Sequence, residues 1–162
     1  MADFAHSAEV TINASPEKIF GIVADPSKHI ELAGSDELNK ITIKPAGQVG
    51  LGTVISAEET VRVGTDSMNI TADSIVASYD PGKCFSFIVN PALPEPVRRM
   101  QWWFRLSPEG SGTKVSHEVE VDWGDLQTDM VKGLRDSYEQ IRAGIVRECM
   151  AKTVQNLKRM AE

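Results

Sequence analysis

The sequence predicts an α+β fold in which an antiparallel sheet of seven strands curves around one long C-terminal helix. Apolar residues recur at helical spacing through residues 125–161, which indicates an amphipathic helix. Between residues 36 and 123 the period changes to two, which is typical of strands that bury one face. A helix of that length must bury its apolar side, and the sheet is the partner that the chain offers.

The first elements are a strand and two short helices. Residues 8–14 alternate between apolar and polar types and predict the first strand. Ser15 then offers a capping hydroxyl and Pro16 suits the first helical position, so a helix is expected to begin there. Asp25 precedes a proline and is therefore disfavoured in helical geometry, which ends this helix. A second short helix is expected at 27–32.

Six more strands follow, separated by turns that are rich in glycine, proline and aspartate. The alternation predicts them at 38–44, 53–63, 67–79, 84–89, 100–106 and 114–122. Most of the links are short, which favours an antiparallel meander. The exception is the proline-rich connection at 90–96, which is expected to project from one end of the sheet and to border a pocket.

The apolar stripe of the last helix should face the sheet. Its members are Leu126, Met130, Leu134, Tyr138, Ile141, Ile145, Cys149 and Leu157. Gly133 and Gly144 interrupt the same helix, where each costs about 1 kcal/mol relative to alanine. Close packing or room for a ligand would explain both glycines.

Composition excludes several classes of partner. The formal net charge is −6 and the basic residues are scattered, which argues against nucleic acid and against anionic membrane surfaces. The first residues lack the pattern of a signal peptide, and no apolar run approaches the ~18 residues of a membrane span. We therefore expect a cytoplasmic protein without stable membrane insertion. Cys84 and Cys149 are expected to be free thiols that behave as small apolar residues.

A series of short motifs resembles one known family in order and in approximate spacing. The motifs are Ala-Ser-Pro-Glu-Lys-Ile-Phe at 14–20, Ala-Asp-Pro at 24–26, Val-Gly-Leu-Gly-Thr at 49–53, Tyr-Asp-Pro-Gly at 79–82, Trp-Phe-Arg-Leu-Ser-Pro at 103–108 and Gly-Thr-Lys-Val at 112–115. With a long final helix, they resemble the polyketide cyclase/dehydrase and lipid transport (SRPBCC) branch of the START-like superfamily, whose fold is the helix-grip fold.

That resemblance implies one START-like domain over residues 1–162, with a cavity for a small hydrophobic or amphipathic molecule under the last helix. Members of the superfamily range from transport and sensing modules to cyclases. A shared fold therefore does not choose among these activities.

Strand parity indicates which side chains face the helix. In the strand at 100–106, Met100, Trp102, Phe104 and Leu106 share the inward face, opposite Trp103 and its neighbours. In the next strand the same rule turns His117 and Val119 inward. The predicted ligand-binding residues are Phe87, Met100, Trp102, Phe104, His117, Val119, Tyr138, Ile141 and Ile145.

His117 and Tyr138 are the candidates for chemistry. A neutral imidazole at His117 would orient a ligand carbonyl or carry a proton near neutral pH. The alternative is a core histidine bonded to a backbone carbonyl or to Tyr138. Carboxylates such as Glu58, Glu59 and Asp73 fit a solvated outer face, but one that pointed inward would be the natural acid/base partner of His117.

The common catalytic and metal-binding motifs are missing from the sequence, and we expect no metal and no cofactor. His6 and His29 fall in segments predicted to lie at the surface, so His117 is the one histidine expected on the inner face. The sequence leaves open whether the protein is an enzyme.

Three functions remain. The leading hypothesis is a non-enzymatic domain that binds or carries an apolar ligand. The second is a cyclase/dehydrase-like enzyme in which His117 and Tyr138 position the substrate and transfer protons. The third is an interaction module that forms a homodimer through its sheet, with Trp103 at the centre of the interface.

Overall fold

The computed structural model describes residues 2–91, 99–124 and 129–162 and confirms the predicted helix-grip fold. The strands are β1 (Phe4–Ile12), β2 (Leu38–Lys44), β3 (Val54–Val63), β4 (Asp66–Asp80), β5 (Cys84–Pro91), β6 (Arg99–Glu109) and β7 (Gly112–Asp122). The helices are α1 (Pro16–Val23), α2 (His29–Leu32), α3 (Asp129–Tyr138) and α4 (Gly144–Ala161), with a 3₁₀ turn at Pro26–Lys28 and a π-helical turn at Glu139–Ala143.

The seven strands form one curved antiparallel sheet in the order β1-β7-β6-β5-β4-β3-β2. The predicted meander from β2 to β7 is confirmed, and β1 joins its far edge beside β7. Strand β1 begins at Phe4, earlier than predicted, because Phe4 is buried and continues the inward alternation opposite Val121. The connection predicted at 90–96 lies outside the described residues from position 92 onward.

The predicted helix start is confirmed by its capping contact. The Ser15 hydroxyl accepts a hydrogen bond from the Lys18 backbone N–H at 3.2 Å, and Pro16 occupies the first turn. Helix α1 buries its apolar side against the end of the sheet. The second helix is split into a 3₁₀ turn and the short helix α2, because Pro26 starts a tight turn capped by Asp25.

The C-terminal helix is continuous from Asp129 to Ala161, but the π turn changes which residues face the sheet. A π turn holds more residues than an α turn, so every later position rotates around the helix axis. Arg142, Val146 and Met150 face inward beyond the turn, one residue later than the predicted Ile141 and Ile145, while the predicted Cys149 still lines the cavity and the predicted Leu157 is buried. Leu126 and the side chain of Met130 lie outside the described part of the chain.

The tip of the β3–β4 hairpin is fastened to this π turn. The Gly64 backbone N–H donates to the Ile141 carbonyl at 2.9 Å, and the Arg142 guanidinium donates to the Arg62 carbonyl at 3.0 Å. On the other side, the Thr153 hydroxyl of α4 accepts from the Gly34 N–H at 2.9 Å. The helix is therefore attached to the sheet and to the α2–β2 loop by hydrogen bonds as well as by packing.

Within the described residues, buried apolar side chains form two clusters. One joins α1, α2 and the end of α4 to the sheet around Phe85, and the other joins α3 and the start of α4 to β1 and β7 around Tyr138. Gly133 and Gly144 belong to neither cluster, because both are exposed and an added Cβ would meet no atom within 4 Å. Neither close packing nor room for a ligand accounts for them, and nothing in the structure explains their presence.

Candidate functional site

A cavity of about 220 Å³ lies between the inner face of the sheet and the C-terminal helix. Its apolar walls are made by Leu32, Ile41, Ile55, Phe87, Val89, Met100, Trp102, Phe104, Val146 and Met150. An apolar cavity of about 150 Å³ is large enough for benzene. The space here therefore suits a larger ring system or a short acyl group.

Six of the predicted ligand-binding residues line this cavity: Phe87, Met100, Trp102, Phe104, His117 and Tyr138. The other three do not. Val119 is packed into the core cluster beside Tyr138, while Ile141 and Ile145 are turned to the flanks of the helix by the π turn. Ligand contact by any of the nine stays a prediction.

His117 is held in a stack of aromatic rings on the inner face. Its ring lies 4.1 Å from Phe104 at 9° between planes, and 5.4 Å from Trp102 at 22°. Register explains the contact, because Phe104 and His117 are directly paired across β6 and β7. The stack fixes the imidazole plane in the cavity wall.

The tautomer of His117 follows from its one hydrogen bond within the described residues. Its Nδ1 lies 3.1 Å from the Trp103 carbonyl, and because a carbonyl only accepts, Nδ1 carries the proton. Nε2 therefore keeps a lone pair. Burial lowers the pKa of His117 to about 4, although the Trp103 carbonyl acts in the opposite direction. In this tautomer Nε2 has no proton with which to orient a ligand carbonyl and is available as an acceptor instead, while a role for His117 toward a ligand stays a prediction.

His29 is a second inward histidine that the sequence placed at the surface. It lines the cavity because α2 packs against both α4 and β2, and its ring lies 6.1 Å from Phe87. Nε2 donates to the Val23 carbonyl at 2.8 Å, which leaves the lone pair on Nδ1. Burial lowers the pKa of His29 as well, against the raising effect of the Val23 carbonyl and Asp25.

The far end of the cavity carries an ion pair that strand alternation did not reveal. Arg142 on the π turn makes two parallel bonds to the Glu37 carboxylate, at 2.7 Å and 2.9 Å. The two side chains are only 22% and 7% exposed. In the sequence, Ile141 at a spacing of three from Tyr138 continued the apolar stripe, so Arg142 at a spacing of four was not singled out.

Glu59 is the inward carboxylate among the three acidic strand residues, while Glu58 is exposed and Asp73 bonds Ser56 at 2.5 Å on the outer face. Burial raises the pKa of Glu59, as does the charge of Glu37, and Arg142 opposes both.

Glu59 and His117 both line the cavity but lie on opposite sides of the cross-strand row that contains Ile55 and Met100. Glu59 is four residues from Ile55 along β3, and Phe104, which pairs with His117, is four residues from Met100 along β6. Within the described residues no hydrogen bond joins the two side chains, so their action as an acid/base pair stays a prediction.

Tyr138 is held by ring contacts with Phe4 at 5.1 Å and Trp123 at 5.6 Å. Phe4 pairs with Val121, which is four residues from His117 on β7, or about 13 Å along the strand. The bonding partner of His117 is thus a backbone carbonyl and not Tyr138. Burial raises the pKa of Tyr138 to about 12, so its hydroxyl keeps its proton at neutral pH.

Trp103 lies on the outer face of the sheet and is only 9% exposed. The Arg105 guanidinium lies over its ring at 5.3 Å and is itself held by Glu118 at 3.0 Å. Little of the indole is left for a partner, so the homodimer centred on Trp103 stays a prediction. In the described ranges, no three residues of the metal-binding types come together.

Comparisons with known proteins agree with this geometry. The family model described as "Polyketide cyclase / dehydrase and lipid transport" matches residues 3–162. Protein CV1439 from Chromobacterium violaceum is similar in structure at a TM-score of 0.69 and 12% identity, with 98% of each chain covered. The major latex-like protein 151 from Panax ginseng has a TM-score of 0.64 at 8% identity, covering 98% of this chain and 97% of its own.

A third similar structure is the Aha1 dimer from Colwellia psychrerythraea, with a TM-score of 0.58 at 19% identity and coverage of 98% and 96%. At such identities these structures show the fold alone. No curated protein matches the sequence. Among the helices of the described residues, none has the length and apolarity needed to cross a membrane.

Proposed function

Because the chain belongs to the polyketide cyclase / dehydrase and lipid transport family, we propose that it binds and carries a small hydrophobic or amphipathic ligand in the cavity between sheet and helix. The observation that carries this proposal is the cavity of about 220 Å³ with its predominantly apolar wall. Burial of a ligand against that wall supplies the binding free energy, at about 25 cal/mol for each Å² of apolar surface removed from water.

The state of the ionisable groups favours binding over proton transfer. An efficient general acid or base has a pKa near the working pH. The pKa of His117 is lowered to about 4 and that of Tyr138 is raised to about 12, both chiefly by burial. Near pH 7 both side chains are therefore neutral and exchange protons poorly, which suits a role in the cavity wall.

Native mass spectrometry of the freshly purified protein tests the proposal directly. We expect a bound small molecule, and a calorimetric titration of the stripped protein with acyl and aromatic compounds should show saturable binding. A stripped protein that takes up none of these compounds would contradict the proposal.

A pair of size variants locates the binding site. Ala57 lines the cavity, and Ala57→Phe fills part of the space, so we expect binding to weaken at least tenfold. Ile75 is 53% exposed on the outer face of the neighbouring strand, and Ile75→Phe is the matched control that should leave affinity unchanged. Equal effects of the two substitutions would place the ligand elsewhere.

A cyclase/dehydrase-like enzyme is the second candidate, and one observation favours it. Glu59 is a cavity-facing carboxyl with a pKa raised by burial, a combination that is common among catalytic acids. In that case Glu59 would supply the proton, while His117 and Tyr138 would position the substrate. The co-purified molecule is incubated with wild type and with Glu59→Gln, and mass analysis shows whether it is converted. Conversion by wild type that is lost in Glu59→Gln, while binding is retained, indicates an enzyme.

The finer parts of the proposal are predictions from the sequence. A lipid-like ligand fits the apolar wall, and a cytoplasmic location fits the scattered charges and acidic balance of the chain. Fractionation of cells that express a tagged protein would test the location.

A further inference from the structure

Two imidazoles in the cavity wall share one arrangement. His117 donates from Nδ1 to the Trp103 carbonyl, and His29 donates from Nε2 to the Val23 carbonyl. Each neutral ring donates its single N–H to a backbone carbonyl, so the other nitrogen of each ring can only accept a hydrogen bond. The His29 ring packs against Phe85 and Phe87, while the His117 ring stacks on Trp102 and Phe104.

The free nitrogens of these rings border open space. Among the described residues, every fully buried side-chain nitrogen or oxygen has a hydrogen-bond partner. In the part of the chain that the structure describes, Nε2 of His117 and Nδ1 of His29 have none, although both rings line the cavity and His117 is only 5% exposed. The open space that Nε2 of His117 meets is therefore the cavity.

Positive charge in the described part of the wall is already neutralised. Arg142 is the one cationic side chain that lines the cavity there, and both of its terminal nitrogens bond the Glu37 carboxylate. Glu59 adds a further acidic group with no hydrogen-bond partner in the described ranges. A ligand carboxylate would lose its hydration without gaining a counter-ion, which is costly.

We infer that the cavity selects an uncharged ring-shaped ligand carrying a hydroxyl group, which donates its proton to the free nitrogen of His117 or His29, and that it rejects carboxylates. The inference rests on the proposed binding function and specifies the ligand class of that site. The rings of Trp102 and Phe87 supply the apolar walls for the ligand body. A bound hydroxyl satisfies an acceptor that would otherwise stay unpaired, which is the situation in which binding sites discriminate most strongly.

Three naphthalene derivatives of similar size separate the contributions. 2-Naphthol offers a hydroxyl proton, 2-methoxynaphthalene keeps the ring and the oxygen without that proton, and 2-naphthoate carries a charge. By calorimetry at pH 7 we expect 2-naphthol to bind at least tenfold more tightly than 2-methoxynaphthalene, with 2-naphthoate weakest.

Two substitutions take away the imidazole acceptors while keeping the backbone bonds, because each amide carries its own acceptor oxygen at a different position from the ring nitrogen that is lost. In His117→Asn the side-chain amide can take the place of Nδ1 toward the Trp103 carbonyl, and in His29→Gln it can take the place of Nε2 toward the Val23 carbonyl. Each variant should lower the preference for 2-naphthol, and the double variant should reduce it below about twofold while 2-methoxynaphthalene still binds. Circular dichroism checks that each variant is folded. If the double variant does not fold, the two single variants are enough to test the inference.

The outcomes separate this inference from the proposal beneath it. Equal binding of 2-naphthol and 2-methoxynaphthalene, tightest binding of 2-naphthoate, or an unchanged preference in both variants would overturn the inference and leave a ligand-binding cavity in place. Failure of all three compounds, together with failure of acyl ligands and no co-purified molecule, would remove the proposed function itself.

Discussion

Acidification should destabilise the protein through His117. The pKa of this residue is lowered from 6.5 to about 4 by burial, so the folded state binds fewer protons than the unfolded state between those values. The stabilising contribution of the neutral ring is therefore complete above about pH 6.5 and is lost as the pH falls toward 4. One pKa unit corresponds to about 1.4 kcal/mol, so the full effect is about 3 kcal/mol, of which about 2 kcal/mol is lost between pH 7 and pH 5.

Urea unfolding of wild type and of His117→Asn at a series of pH values measures this effect. The variant has no ring to protonate, so its free energy of unfolding should fall by about 2 kcal/mol less than that of wild type between pH 7 and pH 5. The pKa of His29 is also lowered by burial, and His29→Gln should remove part of the remaining slope. Parallel pH profiles for wild type and His117→Asn would show that His117 is not a buried neutral ring.

Two further predictions concern the frame of the cavity. Arg142→Met leaves the buried Glu37 carboxylate without its bidentate partner, so the free energy of unfolding should fall by about 3 kcal/mol. Urea unfolding measures this change, and a loss below about 0.5 kcal/mol would show that the ion pair is dispensable. Gly34→Ala would place a Cβ 2.1 Å from the Cys149 carbonyl oxygen and should lower the free energy of unfolding by about 2 kcal/mol. By contrast, the Cβ of Gly144→Ala meets no atom within 4 Å, and this variant should raise the free energy of unfolding by about 1 kcal/mol. Thermal unfolding compares the two variants, and equal shifts in melting temperature would contradict the packing argument.

The strands and the orientation of their side chains were predictable because a period of two is a local property of the sequence. Trp102, Phe104 and His117 were placed on the inner face from parity alone, and all three line the cavity. The capping serine and the turn glycines gave the order of elements in the same way. Neighbouring residues are enough to decide such features.

The parts that failed depend on contacts between distant segments. A π turn differs from a regular α-helical turn by one additional residue, so the apolar stripe through Ile141 and Ile145 appeared continuous in the sequence. The inward turn of His29 follows from the position of α2 over the sheet, and Glu37 has no periodic signal before β2. These polar residues are identified from the folded structure, and they determine the chemistry of the cavity.

The π turn also governs how related sequences should be compared. Residues that precede Glu139 and residues that follow Ala143 belong to two different helical registers, although the helix runs through without a break. A relative with a regular helix throughout would present its inward side chains one position out of step with this chain beyond the turn. An alignment without a one-residue gap inside the helix would then equate Arg142 with a residue on the flank, and the residue that pairs with the acid of the α2–β2 loop would be assigned wrongly.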